Sequence, residues 1–338
     1  MDRQTHKSTA MMTPITATTQ PGNDTVVPFH VEALDTRGRA VLLGEALDTI
    51  LSRHDYPEAV ARLLGEMTVL TVLLGTSLKF EGKFIAQAQT DGPVSLMVVD
   101  FTTPDAIRAY ARFDADAVEA SVAAGHASPE ELLGKGTLAL TVDQGKYMNR
   151  YQGIVALDGA SLEEIAQNYF RQSEQLPTTV RLAVAQLQAR DEDGNLVSAW
   201  RAGGLLAQFL PESEDRLRQR DLHPGDAPEG AFLGDQEDDD DAWLEAEALV
   251  GTIDDDELVD ETLGAHGLLY RLFNQRGVRV YDAQPVRDVC SCSDDKLLKV
   301  LSALSPEERA EATEDGKIVT KCEFCSTVRA YDAARFET

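Results

Sequence analysis

The chain has 338 residues, 58 of them acidic and 31 basic, for a net charge of −27 at neutral pH, and 43% are apolar. Such a length accommodates two or three domains and one sizeable core; such an apolar share excludes a chain disordered throughout; and such a charge argues against broad binding to nucleic acid or anionic membrane, both of which need a basic face. No stretch approaches about 18 uncharged apolar residues, which excludes a spanning helix.

In chain order, residues 1–24 read as a flexible extension. They are rich in Thr, carry Asp2 early and lack the continuous apolar run of a secretory signal, so the expected compartment is the cytoplasm. In that reducing compartment cysteines are thiols or metal ligands rather than structural disulfides.

A body follows over residues 25–210. Val26–Val31 predicts a short strand, and Glu45–Arg53 and Pro57–Lys79 predict two helices. The second is apolar nearly all round through Leu63, Leu64, Met67, Leu70, Val72, Leu73 and Leu74, the pattern of a buried helix. Lys83–Gln89 alternates with Phe84, Ala86 and Ala88 on one face, and Asp91-Gly92 turns it into a second strand, Val94–Asp100. Thr137–Asp143 and Ile154–Leu157 are further strands. Ser161 and Glu164 form a capping box ahead of a helix striped by Leu162, Ile165, Ala166, Tyr169 and Phe170. Val180–Ala189 and Leu196–Arg201 read as strands around a turn at Asp193-Gly194. Hairpins mixed with helices predict an α+β fold, with antiparallel sheets in an N-terminal α/β body rather than a doubly wound parallel sheet.

Composition then shifts. Between Glu212 and Glu261 there are 20 acids and 3 bases (Arg216, Arg218, Arg220), so this segment carries −17 of the −27. It holds Asp238–Asp241 and Asp254–Glu257 as acidic runs, and the turn formers Pro211, Pro224, Gly225, Pro228, Gly230 and Gly234 flank or interrupt it. Residues 211–284 are therefore read as an acidic helical linker. Two amphipathic stretches lie in it: Ala242–Ile253, with Trp243, Leu244, Leu249, Val250 and Ile253, and Asp255–Asn274, with Leu258, Val259, Leu263, Leu269, Leu272 and Phe273, ended by Gly277. The plain reading is a solvated helical connector. The sharper one is a metastable element whose acids repel one another, so that its helices depend on packing their Leu stripes against a neighbour.

All four cysteines lie in the last 49 residues, within a segment 285–338. Cys290-Ser291-Cys292, a 29-residue gap, and Cys322-Glu323-Phe324-Cys325 give C-x-C followed by C-x-x-C. Two close thiolate pairs match a closed tetrahedral structural zinc site held by Cys290, Cys292, Cys322 and Cys325. A catalytic zinc keeps an open position and usually His or carboxylate ligands, and the nearest histidine, His266, lies outside the tail. A tail of about 50 residues is too small for a good core without a staple. Its one clear helix opens at Ser305-Pro306-Glu307-Glu308. A structural zinc supplies about 10–16 kcal/mol, which in so small a unit is folding free energy. Zinc-bound thiolates are also oxidisable, so the residues alone describe a redox-sensitive fold.

No phosphate-cradling G-x-x-x-x-G-K-[ST] occurs, because the Gly-Lys steps at Gly82, Gly134 and Gly145 lack the Ser or Thr. No nucleophile elbow and no H-E-x-x-H occurs. His54 and His126 are isolated and read as surface or turn residues, so no catalytic residue is assigned and the protein is not expected to be an enzyme.

These residues together resemble a known family. Gly82-Lys83-Phe84 with Gln87–Val94, Tyr151–Val155, Tyr169–Leu176, Leu269–Phe273, and finally Cys290–Ser293 and Cys322–Cys325, are similar in order and content to the bacterial 33 kDa chaperonins, the redox-regulated heat-shock chaperones. The similarity covers about residues 25–335. It implies an ATP-independent holdase that is inactive while its four cysteines hold one Zn2+. Oxidation by peroxide or hypochlorous acid, helped by heat, is then implied to form disulfides Cys290–Cys292 and Cys322–Cys325, with loss of zinc, unfolding of the linker, homodimer formation and capture of unfolding client proteins. Two features depart from the family pattern: the long Asp-rich run after Gly234, and Asp288, a charge close to Cys290 where an apolar or aromatic residue is usual.

Two other function classes fit parts of the sequence. A zinc-ribbon module binding RNA or the ribosome would use the cysteines, but the charge of −27 opposes it. A thiol–disulfide oxidoreductase would expect an exposed, low-pKa C-x-x-C beside a βαβ unit.

Overall fold

A computed structural model of the chain describes residues 22–145, 151–190, 195–210 and 240–336. Expectations for residues 1–21, for the Asp193-Gly194 turn and for the acids and turn formers of 211–239 lie outside the described residues.

The fold is α+β, built from two antiparallel sheets around one buried helix. Strands β1 (Thr25–Val31), β2 (Thr36–Leu43), β8 (Thr178–Arg190) and β9 (Leu196–Phe209) form the first sheet, in the order β1-β2-β9-β8. Strands β3 (Lys83–Thr90), β4 (Val94–Thr102), β5 (Ala106–Phe113), β6 (Lys135–Asp143) and β7 (Tyr151–Asp158) form the second, in the order β5-β4-β3-β6-β7. Short helices α1 (Glu45–Leu51), α3 (Ala115–Ala123), α4 (Pro129–Leu133) and α5 (Leu162–Tyr169) flank them.

Helix α2 (Glu58–Ser77) runs between the sheets and touches both. That explains why it is apolar on every side: Val60, Leu63, Leu64, Met67, Val69 and Leu73 are fully buried. Thr68 and Thr71, buried with them, donate their hydroxyls to the carbonyls of Leu64 and Met67 at 2.7 Å each, so no polar atom is stranded. Contrary to the expectation that no segment would be long and apolar enough to span, this helix is so by length and composition, because it must be apolar all round to fill the space between two sheets; 78% of its most apolar window is buried inside the protein. The Ser161/Glu164 capping box is present with both bonds, at 3.1 and 3.0 Å, and α5 runs into a single π-helical turn, Phe170–Glu174.

The first sheet is covered on its other face by the acid-rich segment. Helices α6 (Asp241–Gly251), α7 (Asp255–Val259) and α8 (Gly264–Phe273) lay Trp243, Val250, Leu258, Leu269, Leu272 and Phe273 on Val27, Phe29, Val31, Leu205, Ala207 and Phe209. Phe29 stacks on Phe273 at 5.7 Å, and Phe209 meets Trp243 at 5.9 Å. The stretch Asp255–Asn274 is thus two helices rather than one. The chain breaks at Asp260, whose carboxylate accepts from the amides of Thr262 and Leu263 at 2.7 and 3.2 Å, before Gly264 adopts φ +58°. Gly277 lies beyond the helix end, in a left-handed conformation at φ +78°.

Contact across the sheet is closest at Gly203-Gly204 of β9. A Cβ on Gly203 would lie 1.8 Å from the carbonyl oxygen of Leu258 in α7, and one on Gly204 would lie 2.5 Å from Val69 in α2. Only a strand without side chains admits both neighbours.

Leaving α8, the chain makes three two-residue strands. β10 (Arg279–Val280) and β11 (Gln284–Pro285) pair with β1, and β12 (Arg287–Asp288) pairs parallel with β5. Val286 between them is buried in the body's core. The tail then forms helices α9 (Asp294–Ala303) and α10 (Pro306–Glu311) and a small antiparallel sheet of β13 (Thr313–Glu314), β14 (Lys317–Lys321) and β15 (Val328–Asp332). The Ser305/Glu308 capping box has both of its bonds, at 3.2 and 2.8 Å. The tail's own apolar cluster has just four buried residues, Leu301, Ile318, Tyr331 and Phe336.

Candidate metal centre

Two separate pieces of backbone deliver the four cysteines. Cys290 and Cys292 follow β12, where Val289 donates its amide to the carbonyl of Ile107 at 3.0 Å and so holds the first pair against the edge of the body. Cys322 and Cys325 sit on the turn between β14 and β15. The Ser326 amide donates to the Cys322 carbonyl at 2.9 Å, and the Cys322 amide to the Thr327 carbonyl at 3.0 Å. Ser326 takes the left-handed φ of +55° that closes so tight a turn.

The four half-buried sulfurs lie within 4.8 Å of one another, and all four are free thiols. Cys290 and Cys322 are 3.7 Å apart, Cys292 and Cys325 3.4 Å. Four sulfurs placed tetrahedrally about 2.3 Å from one ion would be about 3.8 Å apart. The cluster contains no histidine or carboxylate, so the donor set is soft and closed, with thiolates in all four positions. The sequence-predicted ligands are therefore together, in a geometry that could hold a metal ion.

Proton affinities differ within the cluster. Burial and the hydrogen bond with Cys325 push Cys292 up to about 12, against the pull of Arg329. Burial likewise pushes Cys322 up. On Cys325 burial also acts upward, but hydrogen bonds with Thr327 and with the Cys292 and Cys322 thiols outweigh it and bring the group down to about 6. A cation that binds all four sulfurs must displace the protons they carry.

Arginines surround the sulfurs, and sequence reasoning missed them. Arg329 Nη1 lies 3.5 Å from Cys292 Sγ and Arg108 Nη1 3.9 Å from Cys290 Sγ. The Arg108 guanidinium also lies over the ring of Phe324, 3.9 Å from its centroid, and Tyr110 meets that ring at 6.1 Å. Arg53 forms an ion pair with Asp288, and its carbonyl accepts from the Ser326 hydroxyl at 3.2 Å. The unusual Asp288 is thus half of a contact between tail and body. His54 lies in a turn, as expected, but half-buried: it sits between Tyr56 and Tyr110, at 5.0 and 5.6 Å, where burial lowers its pKa. His126 is exposed, as expected, and meets Glu131 at 2.6 Å. The one available signal was the alternation of Arg108 and Tyr110 on one face of β5, which shows a strand but not what it faces.

A family model described as the Hsp33 protein matches residues 24–332. The chain belongs to the Hsp33 family. A 33 kDa chaperonin of Caulobacter vibrioides is 44% identical over 324 residues, 95% of this chain and 99% of that protein. One from Ectopseudomonas mendocina is 36% identical over 317 residues, 92% and 93% of the two chains. The crystal structure of the 33 kDa chaperonin of Thermotoga maritima shares the fold, with a TM-score of 0.68, 17% identity, and 93% and 97% of the two chains covered. Membership supports a chaperone function, and the chaperonin names of the relatives imply a non-enzymatic role.

Proposed function

We propose that the chain is a redox-regulated, ATP-independent holdase of the bacterial cytoplasm, with Cys290, Cys292, Cys322 and Cys325 as its sensor and one Zn2+ as its resident metal. The observation that carries this reading is the free-thiol cluster attached, through residues 279–288, to a body whose apolar sheet face is covered by acid-rich helices. When bound, the metal supplies a closed four-thiolate staple for a tail with almost no core of its own.

Oxidation is proposed to pair Cys290 with Cys292 and Cys322 with Cys325. For each disulfide two thiols and one peroxide react: the sulfur–sulfur bond forms, the oxygen–oxygen bond breaks, and two waters leave. Disulfides remove the thiolates that hold the tail together. Strands β10 to β12 are short and lose their anchorage with it, and α6 to α8 then depend on a sheet from which they are easily released. Their Leu and Phe stripe, and the sheet face beneath it, offer apolar surface to unfolding client proteins, and two oxidised copies associate. The acids keep the released chain soluble.

Light scattering of a thermally unfolding client tests the proposal, with zinc-loaded and peroxide-treated protein compared. Protection is expected only after oxidation; equal protection in both states sinks the switch. Thiol counting and zinc release, read in parallel with far-UV circular dichroism, check the order of events.

A further inference from the structure

A cleft of about 1520 Å³ opens between the two sheets at the C-terminal end of α2, on the far side of the body's first sheet from α6–α8. Its wall is the face of β1 and β2 that carries His30, Arg37 and Arg39, with His30 directly opposite Arg37 across the strands. Lys79 stands at its rim.

Arg39 is unlike the other half-buried arginines described. Arg53, Arg62, Arg108, Arg181, Arg201 and Arg329 each meet a carboxylate, and half-buried Arg309 donates to the carbonyl of Ser302 at 3.3 Å. Arg39 meets none among the described residues, and its Nε is buried without a hydrogen-bond partner. Its neighbour on the same face, Arg37, adds like charge rather than relief; burial first and Arg37 second bring Arg39 down to about 10. Two acids line the cleft, Glu81 and Asp105, and Asp105 is already held by Arg287 at 2.6 Å. In a chain with 58 acids and 31 bases, two arginines side by side on one wall of a cleft, one of them meeting no carboxylate among the described residues, are a site built for an outside anion.

We propose that this cleft binds a phosphate-class oxyanion, gripped by the guanidinium groups of Arg37 and Arg39 with Lys79 as a point charge at the rim. Arginine's planar fork matches the paired oxygens of a phosphoryl group, and a buried donor gains most from a charged acceptor. The same chemistry is offered by inorganic phosphate, by a chain of phosphates and by the tail of a nucleotide.

Isothermal titration of the full-length, reduced, zinc-loaded protein with inorganic phosphate, tripolyphosphate and ATP, at matched ionic strength in chloride buffer, separates these sources. Saturable 1:1 binding of at least one is expected. Arg39→Gln should weaken it roughly 10- to 100-fold, Arg39→Lys less, and Lys79→Ala least. A rise in Tm with ligand that is lost in Arg39→Gln should accompany it. Circular dichroism checks that each variant folds, and Arg37→Gln, at an exposed position, replaces Arg39→Gln if the latter does not. Absence of saturable binding for all three probes, or binding unchanged by the arginine substitutions, overturns the proposal.

Discussion

Both faces of the first sheet carry an apolar cluster, yet the two are covered in different ways. On one side α2 lies between two sheets, and its 20 residues include three charged ones, Glu58, Arg62 and Glu66. On the other side α6 and α7 lie in a stretch, residues 241–261, with nine acids and no base. These helices are buried on one side only. The same burial physics holds both covers, but the second works against its own charge and, among the described residues, has no second layer behind it. Under the proposed function, the difference makes one face of the sheet a permanent core and the other a releasable surface.

The sharpest break in that comparison is expected from the tail. Cys322→Ser should abolish metal retention and unfold residues 290–336, a loss on the order of 10 kcal/mol, since the ligand free energy of so small a unit is its folding free energy. Metal content and amide exchange over the tail read it, and an unchanged α2 would show that the body stands alone. Next, Phe273→Ala should leave a cavity against Phe29 and cost about 3–5 kcal/mol. Gly203→Ala should act similarly by forcing Leu258 off the sheet. In both, exchange should rise across α6–α8 while α2 stays protected, and holdase activity should appear without oxidant. Fast exchange in α2 as well would mean that the two faces are not independent.

Glu66 sharpens the comparison from the buried side. Burial first, and the nearby acids Glu163, Glu130 and Asp255 after it, push its carboxyl up to about 8. An acid with a raised folded pKa takes up a proton on folding, so stability should fall as pH rises from about 4.5 towards 8. Glu66→Gln should flatten that slope and stabilise the protein near pH 8 by on the order of 2 kcal/mol, read by urea melts across pH. Asp288→Ala leaves Arg53 without its carboxylate and should cost about 1–2 kcal/mol, seen as faster zinc loss to a chelator. Arg276→Ala breaks an exposed pair with Glu245 and should leave the urea midpoint nearly unchanged.

Much of this was legible in the sequence, for identifiable reasons. A helix apolar on every side, two capping boxes, a Gly-turned hairpin and paired cysteines are local signals, and each corresponds to the element observed. Strands β2 and β5 were not read, because TRGRAVLL and AIRAYARF alternate arginine with small residues rather than polar with large apolar ones. The neighbour of the acidic helices was also invisible. Amphipathicity shows that a face is buried, not against what, and the partner proved to be the body's sheet. The arginines around the thiols come from positions 53, 108 and 329, and only the fold brings them together.

The strip at residues 279–288 does one more thing. By pairing with β1 and with β5 it occupies an outer edge of both large sheets at once. A bare edge strand is a row of unpaired amides and carbonyls, ready to recruit any extended chain. Six residues of very short strand therefore act as a common guard for two templates, and whatever lifts the strip opens both for backbone pairing in a single event.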